Sequence, residues 1–185
     1  MMEEGADRIQ VMSVRSGERF RKRLWGCFPT ERPIEKGDYV QVDFGAVRRN
    51  YVSDLNRIAI VGGQPTAAEK AHWDLYAEAN RKGTEAVKPG VTAADLFAAM
   101  ARVFEEAGLK VDAQRFGHGL GLEAHEPPNL SPYDKTVIMP GMALAIEPQT
   151  VLSKEGIFFN CEDDIVCTET GVEHLSTIKR EIFTA

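Results

Sequence analysis

The stretch from Asp43 to Asp54, Asp-Phe-Gly-Ala-Val-Arg-Arg-Asn-Tyr-Val-Ser-Asp, constrains this chain most, because it places two carboxylates in what reads as one β-hairpin. Val40, Val42 and Phe44 lead into it. Tyr51, Val52 and the run from Leu55 to Val61 lead out, so two strands are joined by a polar turn. With Arg48-Arg49 as the turn, antiparallel pairing sets Phe44 against Ser53 and Asp43 against Asp54, their Cβ atoms roughly 4.5–5.5 Å apart on one face. Facing carboxylates repel. Such a pair calls for positive charge between its members, and hard divalent cations favour oxygen ligands.

The pattern recurs near the C-terminus. Ala143 to Thr150 and Gly156 to Cys167 flank Ser153-Lys154-Glu155-Gly156, and a turn at Lys154-Glu155 sets Glu147 opposite Glu162. Neither Arg-Arg nor Lys-Glu is a favoured primed-turn pair, so a bulge would shift either register by one. Two hairpins, each with a matched acid pair, point to a dinuclear metal centre.

Between them the periodicity is helical. Thr66 with Glu69 forms a capping box opening a helix over 66–88, with Ala68, His72, Leu75, Tyr76 and Ala79 on one face and Pro89-Gly90 as its stop. Thr92 with Asp95 opens a second over 92–107, whose apolar face carries Leu96, Phe97, Met100, Val103 and Phe104 and which ends at Gly108. Upstream, Arg8 to Arg15 alternates as a strand and the basic segment Ser16 to Arg23 reads as a loop. His72 and His174 read as structural.

Phe116 to Pro128 is glycine-rich, but its spacing is not Gly-x-Gly-x-x-Gly, and a dinucleotide loop is set aside. The two histidines flanking it matter more in a chain with four paired acids. Imidazole completes an acidic metal site, so His118 is expected as a ligand and His125 as a site residue. For Glu126, Asp163, Asp164 and Glu169 solvated surface is the expectation for most, alternation turning Asp163 away from Glu162. The same alternation makes Cys161 and Cys167 packing residues.

The three cysteines form no disulfide framework, which fits a reducing compartment. A length of 185 residues with 43% apolar content accommodates one catalytic-type domain, 1–185. The net charge of −6 argues against nucleic acid or an anionic membrane as partner. An acidic N-terminus unlike a signal peptide leads us to expect a soluble cytoplasmic protein.

At these residues the chain resembles the pita-bread family of methionine aminopeptidases, Xaa-Pro aminopeptidases, prolidases and creatinase. The matching motifs are Val42-Asp43-Phe44-Gly45, Tyr51-Val52-Ser53-Asp54-x-x-Arg57, Gly117-His118-Gly119-x-Gly121, Ala145-Ile146-Glu147-Pro148 and Glu162-Asp163-Asp164. The run His125-Glu126-Pro127-Pro128 draws it toward the Xaa-Pro branch, and the similarity extends from about Gly5 to about Ile178. The resemblance implies an α+β fold, a curved antiparallel sheet with outer helices, around two divalent ions (Mn, Co, Fe or Zn). By motif matching, Asp43 chelates the first ion, Asp54 and Glu162 bridge, and His118 with Glu147 holds the second. Glu147 shuttles a proton, and His125 hydrogen-bonds the developing oxyanion or the substrate carbonyl.

The expected activity is that of a metallo-aminopeptidase or Xaa-Pro peptidase acting on short peptides. A small-molecule C–N hydrolase or lyase, and an inactive fragment or binding module, are the alternatives. Three departures bear on this choice. Gly26 stands where prolyl peptidases carry a substrate-contacting histidine, and Asn160 where they usually carry an arginine. The first of the family's two helix pairs is missing as well, which would expose apolar sheet surface, so a homodimer, a partner chain or an N-terminally truncated piece of a longer pita-bread protein is expected.

Overall fold

A computed structural model of the chain describes residues 1–17, 20 and 29–185. Gly26, Cys27 and most of the basic Ser16 to Arg23 segment lie outside the described residues. The first sheet is built from β1 (Arg8–Ser16), β2 (Tyr39–Arg48), β3 (Tyr51–Val52), β4 (Leu55–Ile60) and β10 (Phe183–Thr184), in the order β1-β2-β4-β10 with β3 beside β2. The second runs β6-β5-β7-β8-β9, from β5 (Gly117–Leu120), β6 (Glu126–Asn129), β7 (Ala143–Ile146), β8 (Asp163–Cys167) and β9 (Val172–His174). Helices α1 (Ala67–Ala86) and α2 (Ala93–Glu106) lie between the two sheets in sequence. No other helix of comparable length is found among the described residues.

The first acidic hairpin differs from its expected register. Its turn is Arg49-Asn50, both with left-handed φ (51° and 71°), and Arg48 pairs with Tyr51 and Val47 with Val52. Asn tolerates the left-handed conformation a primed turn demands, which draws the turn one residue along from Arg48-Arg49. Asp43 therefore pairs with Asn56, and Phe44 with Leu55, instead of Asp54 and Ser53. Moving the turn by one residue changes each pairing by two, so the side-chain parity, and the shared face of Asp43 and Asp54, survives. Around Ser53 the backbone closes in on Gly45, where a Cβ would stand 2.1 Å from the Ser53 carbonyl oxygen.

The second hairpin keeps its expected register. Ile146 pairs with Asp163 and Gln149 bridges Asn160, so the frame on both sides sets Glu147 opposite Glu162. Gly156 N–H donates to the Ser153 carbonyl across Lys154-Glu155, and the φ of +76° at Gly156 absorbs the bulge that this non-primed turn needs.

Both capping boxes form, Thr66 with Glu69 and Thr92 with Asp95. The buried stripe of α1 is rotated from the expected one: His72, Trp73, Tyr76, Ala79, Asn80 and Gly83 are inside, Ala68 is exposed and Leu75 half-buried. The aromatic packing decides this, since Trp73 and Tyr76 meet Phe159 edge-on and Tyr76 meets Phe104 on α2. Asn80 is tolerated inside because its amide donates to the Ile146 carbonyl at 2.8 Å. On α2, Leu96, Phe97, Met100 and Phe104 are buried as expected, with Val103 partly so. Cys161 and Cys167 belong to the same core, with Leu144, Ile146 and Ile165.

One bridge, Asn56 to Glu162, stitches the two sheets together. Odd-numbered β2 residues face inward with Asn56, Ile58 and Ile60 of β4. The opposite face of β1 and β2 carries Met12, Val14, Val42 and Phe44, of which Met12 and Val14 are 57% and 50% exposed.

Candidate metal centre

The seam between the sheets gathers the acids. Asp43 pairs with Asn56, Asn56 with Glu162, and the β7–β8 register sets Glu162 against Glu147, a cross-strand row on one face of four strands. His118, on β5 beside Ala145 of β7, joins the end of that row. Oxygen and nitrogen atoms come within 4.8 Å of one another in three groups: Asp43, Asp54 and Glu162; His118, Glu147 and Glu162; and Asp54, His118 and His125. Every residue expected at the site therefore converges, and Glu162 is common to the first two groups.

Glycine makes the convergence on β5 sterically feasible. A Cβ on Gly117, whose φ is 135°, would stand 2.1 Å from the Ala145 carbonyl oxygen, and one on Gly119 would stand 2.4 Å from that of Pro127. The glycines admit neighbouring strands close beside His118.

On the far side of the seam lies a clasp. Arg57 donates to the Glu162 carbonyl and to the Asp163 carboxylate, and Arg180 donates to the other Asp163 oxygen. Asp163 faces away from Glu162, as alternation requires, yet it is 1% exposed; Asp164 is 4% exposed. The expected solvated surface is thus wrong for both, and for Asp163 the burial is met by guanidinium donors on both oxygens. Asp164 uses one oxygen to accept from the Asp54 N–H at 2.8 Å. Asn56 carries no metal-type spacing of its own, and Asp164 reads from the sequence as one more surface acid. Their adjacency exists only across the sheet seam.

Electrostatics make the cluster unstable as a set of bare anions. Burial, then the neighbouring Asp43 charge, pushes the Asp54 carboxyl up to about 7. Burial raises Glu147 to about 7 against the hydrogen bond from Asn160, and burial plus the charges of Glu147, Asp54 and Asp43 drives Glu162 well above the carboxylate range. Asp164 is raised to about 8, chiefly by burial. Asp43 is raised by burial, opposed by Arg15 and Asn56. His118 is lowered to about 4 by burial, so its ring is neutral at pH 7.

The donor set fits a divalent cation. His118 Nδ1 lies 3.1 Å from the Gly119 carbonyl, which fixes the proton there and leaves the Nε2 lone pair aimed at Glu162, 3.7 Å away. Among the described residues that Nε2 and Asp54 Oδ1 are buried without a hydrogen-bond partner. A lone pair facing a carboxylate is repulsive until a cation sits between them.

The site opens into a cleft of about 670 Å³, whose walls include Gln10, Ser13, Arg115, His125 and Gln149. His125 is exposed at its mouth, its ring edge-on to His118 with centroids 4.2 Å apart, and burial lowers its pKa. His72 stays structural, buried against Tyr76 and the Val151 carbonyl. No helix among the described residues is long and apolar enough to cross a membrane.

Known proteins share both sequence and shape with this chain. It is 37% identical over 164 residues to an Xaa-Pro dipeptidase of Pyrococcus horikoshii, covering 88% of this chain and 46% of that protein. The structure of an X-Pro aminopeptidase from Thermotoga maritima superposes with a TM-score of 0.89 at 29% identity, over 100% of this chain and 51% of that one. The prolidase from Pyrococcus furiosus gives 0.85 at 32% identity, over 96% and 52%. The chain thus spans about half the length of these relatives, and the pita-bread fold expected from the sequence is the fold it shares with them. Residues 1–169 match the profile of Metallopeptidase family M24, and the chain belongs to that family of peptidase hydrolases.

Proposed function

We propose that this chain binds two divalent cations and hydrolyses the N-terminal residue or the Xaa-Pro bond of short peptides. The carrying observation is that Glu162 lies within ligand distance of two separate groups, Asp43 with Asp54 and His118 with Glu147. In this reading Asp43 would hold one cation and His118 with Glu147 the other, with Asp54 and Glu162 available to both. What the cations supply when bound is a lowered pKa for a shared water and a counter-charge for the carbonyl oxygen under attack.

The chain's own groups do the rest. Glu147, at the wall of the cleft, is placed to accept a proton from the attacking water and return it to the leaving amine. His125, at the cleft mouth with a lowered pKa, is neutral there and donates its N–H to the substrate carbonyl as that oxygen gains charge. Calorimetric titration with Mn²⁺, followed by an Ala-Pro-type peptide assay on the same sample, tests the reading. Uptake of two ions with metal-dependent release of the first residue is expected, and a chain that takes up no Mn²⁺ overturns it.

A second reading, C–N hydrolysis or elimination on a small zwitterion, draws on one observation. Asn160 stands where prolyl peptidases usually carry an arginine, and its amide is turned to Glu147. Turnover of small zwitterions without turnover of peptides would favour it.

A further inference from the structure

The two oxygens of Glu147 are each held by a different amide. Gln149 Nε2 donates to Oε2 at 2.8 Å, and Asn160 Nδ2 donates to Oε1 at 2.9 Å. The donors come from opposite strands and are themselves bridge partners. Strand alternation puts Gln149 on the face of Glu147 and Asn160 on the face of Glu162, so a pair of amides stands directly behind the pair of acids.

We propose that Gln149 and Asn160 are positioning residues, a neutral clamp that fixes the Glu147 carboxylate for the cation shared with His118 and Glu162. This rests on the two-cation reading above. Each Glu147 oxygen keeps a second lone pair, and with one donor locking each oxygen the carboxylate cannot rotate those lone pairs out of the cluster. Amides orient the carboxylate through hydrogen bonds and bring no charge of their own to the site.

Asn160 is also a poor choice for the fold alone. It is 1% exposed, and its Oδ1 has no hydrogen-bond partner among the described residues. A residue there only to pack would be apolar and leave no buried acceptor unpaired. Among the described residues, the side-chain polar atom of Asn160 in use is the one that reaches Glu147.

The test compares Mn²⁺ titration calorimetry and the Co²⁺ absorption spectrum for the full chain, Asn160→Leu, Gln149→Met and the double variant, substitutions that roughly conserve volume. The parent is expected to take up two ions. Each single variant should bind one of them about 10–100-fold more weakly and leave the other unchanged, as loss of a ligand's orienting partner typically does. The Co²⁺ bands should change for that one site, and kcat should fall more than KM rises. Should Asn160→Leu fail to fold, Gln149→Met, at the cleft wall, carries the test alone. Two undiminished Mn²⁺ sites in a folded variant overturn the clamp and leave the two-cation reading standing. A parent that binds no Mn²⁺ overturns both.

Discussion

Asn56 is fully buried between Asp43, whose carboxylate its side chain steadies, and Glu162. Together with the orphaned Nε2 of His118 it marks a site whose polar groups face inward on one another. Replacing the acid at the crossing of both groups should expose that frustration. Glu162→Gln is expected to abolish Mn²⁺ uptake in calorimetry while raising the melting temperature of metal-free protein. A gain of about 1 kcal/mol would appear as about 2–4 °C for a chain of this size.

Proton linkage gives a second check at this scale. Asp54 and Glu147 sit at about 7 in the fold against ordinary values of 3.8 and 4.5, so the folded state holds protons the unfolded chain has released. Their contribution to metal-free stability is complete below about pH 4 and is lost as the pH climbs through about 7. Cations compete with those protons. The rise in melting temperature on adding Mn²⁺ should therefore be larger at about pH 7.5 than at about pH 5.5, and an equal or reversed shift would refute the linkage.

Among elements, β5 is the one with least freedom. Gly117→Ala would drive a Cβ into the Ala145 carbonyl and force an L side chain into a φ of 135°, breaking the β5–β7 ladder that carries His118. A loss of at least about 2 kcal/mol in urea unfolding is expected, accompanied by weakened Mn²⁺ binding. Loss of a helix cap is milder and local. Thr92→Ala removes the hydroxyl that accepts from Asp95 N–H and should cost about 1 kcal/mol without changing metal affinity.

For the whole molecule, the outer face of β1 and β2 is apolar and half open, with Met12 and Val14 exposed on it. Association with a second copy across that face is the expected outcome, read as a dimer by sedimentation velocity at micromolar concentration. Met12→Glu with Val14→Glu should shift it toward monomer, and a parent that sediments as a stable monomer would rule the association out.

By itself the sequence determined the helix limits, because Thr66-Glu69 and Thr92-Asp95 are local signals closed within one turn. It also determined the register of the second hairpin and the shared face of Asp43 and Asp54, since strand parity survives even a misplaced turn. Tertiary structure alone decided that Asn56 meets Glu162 across the seam, that Asp163 and Asp164 are buried, and that Asn160 reaches Glu147. Those facts depend on which strands meet at the seam between sheets. No local spacing encodes a contact made across a hundred residues of chain, such as that of Asp54 with Asp164.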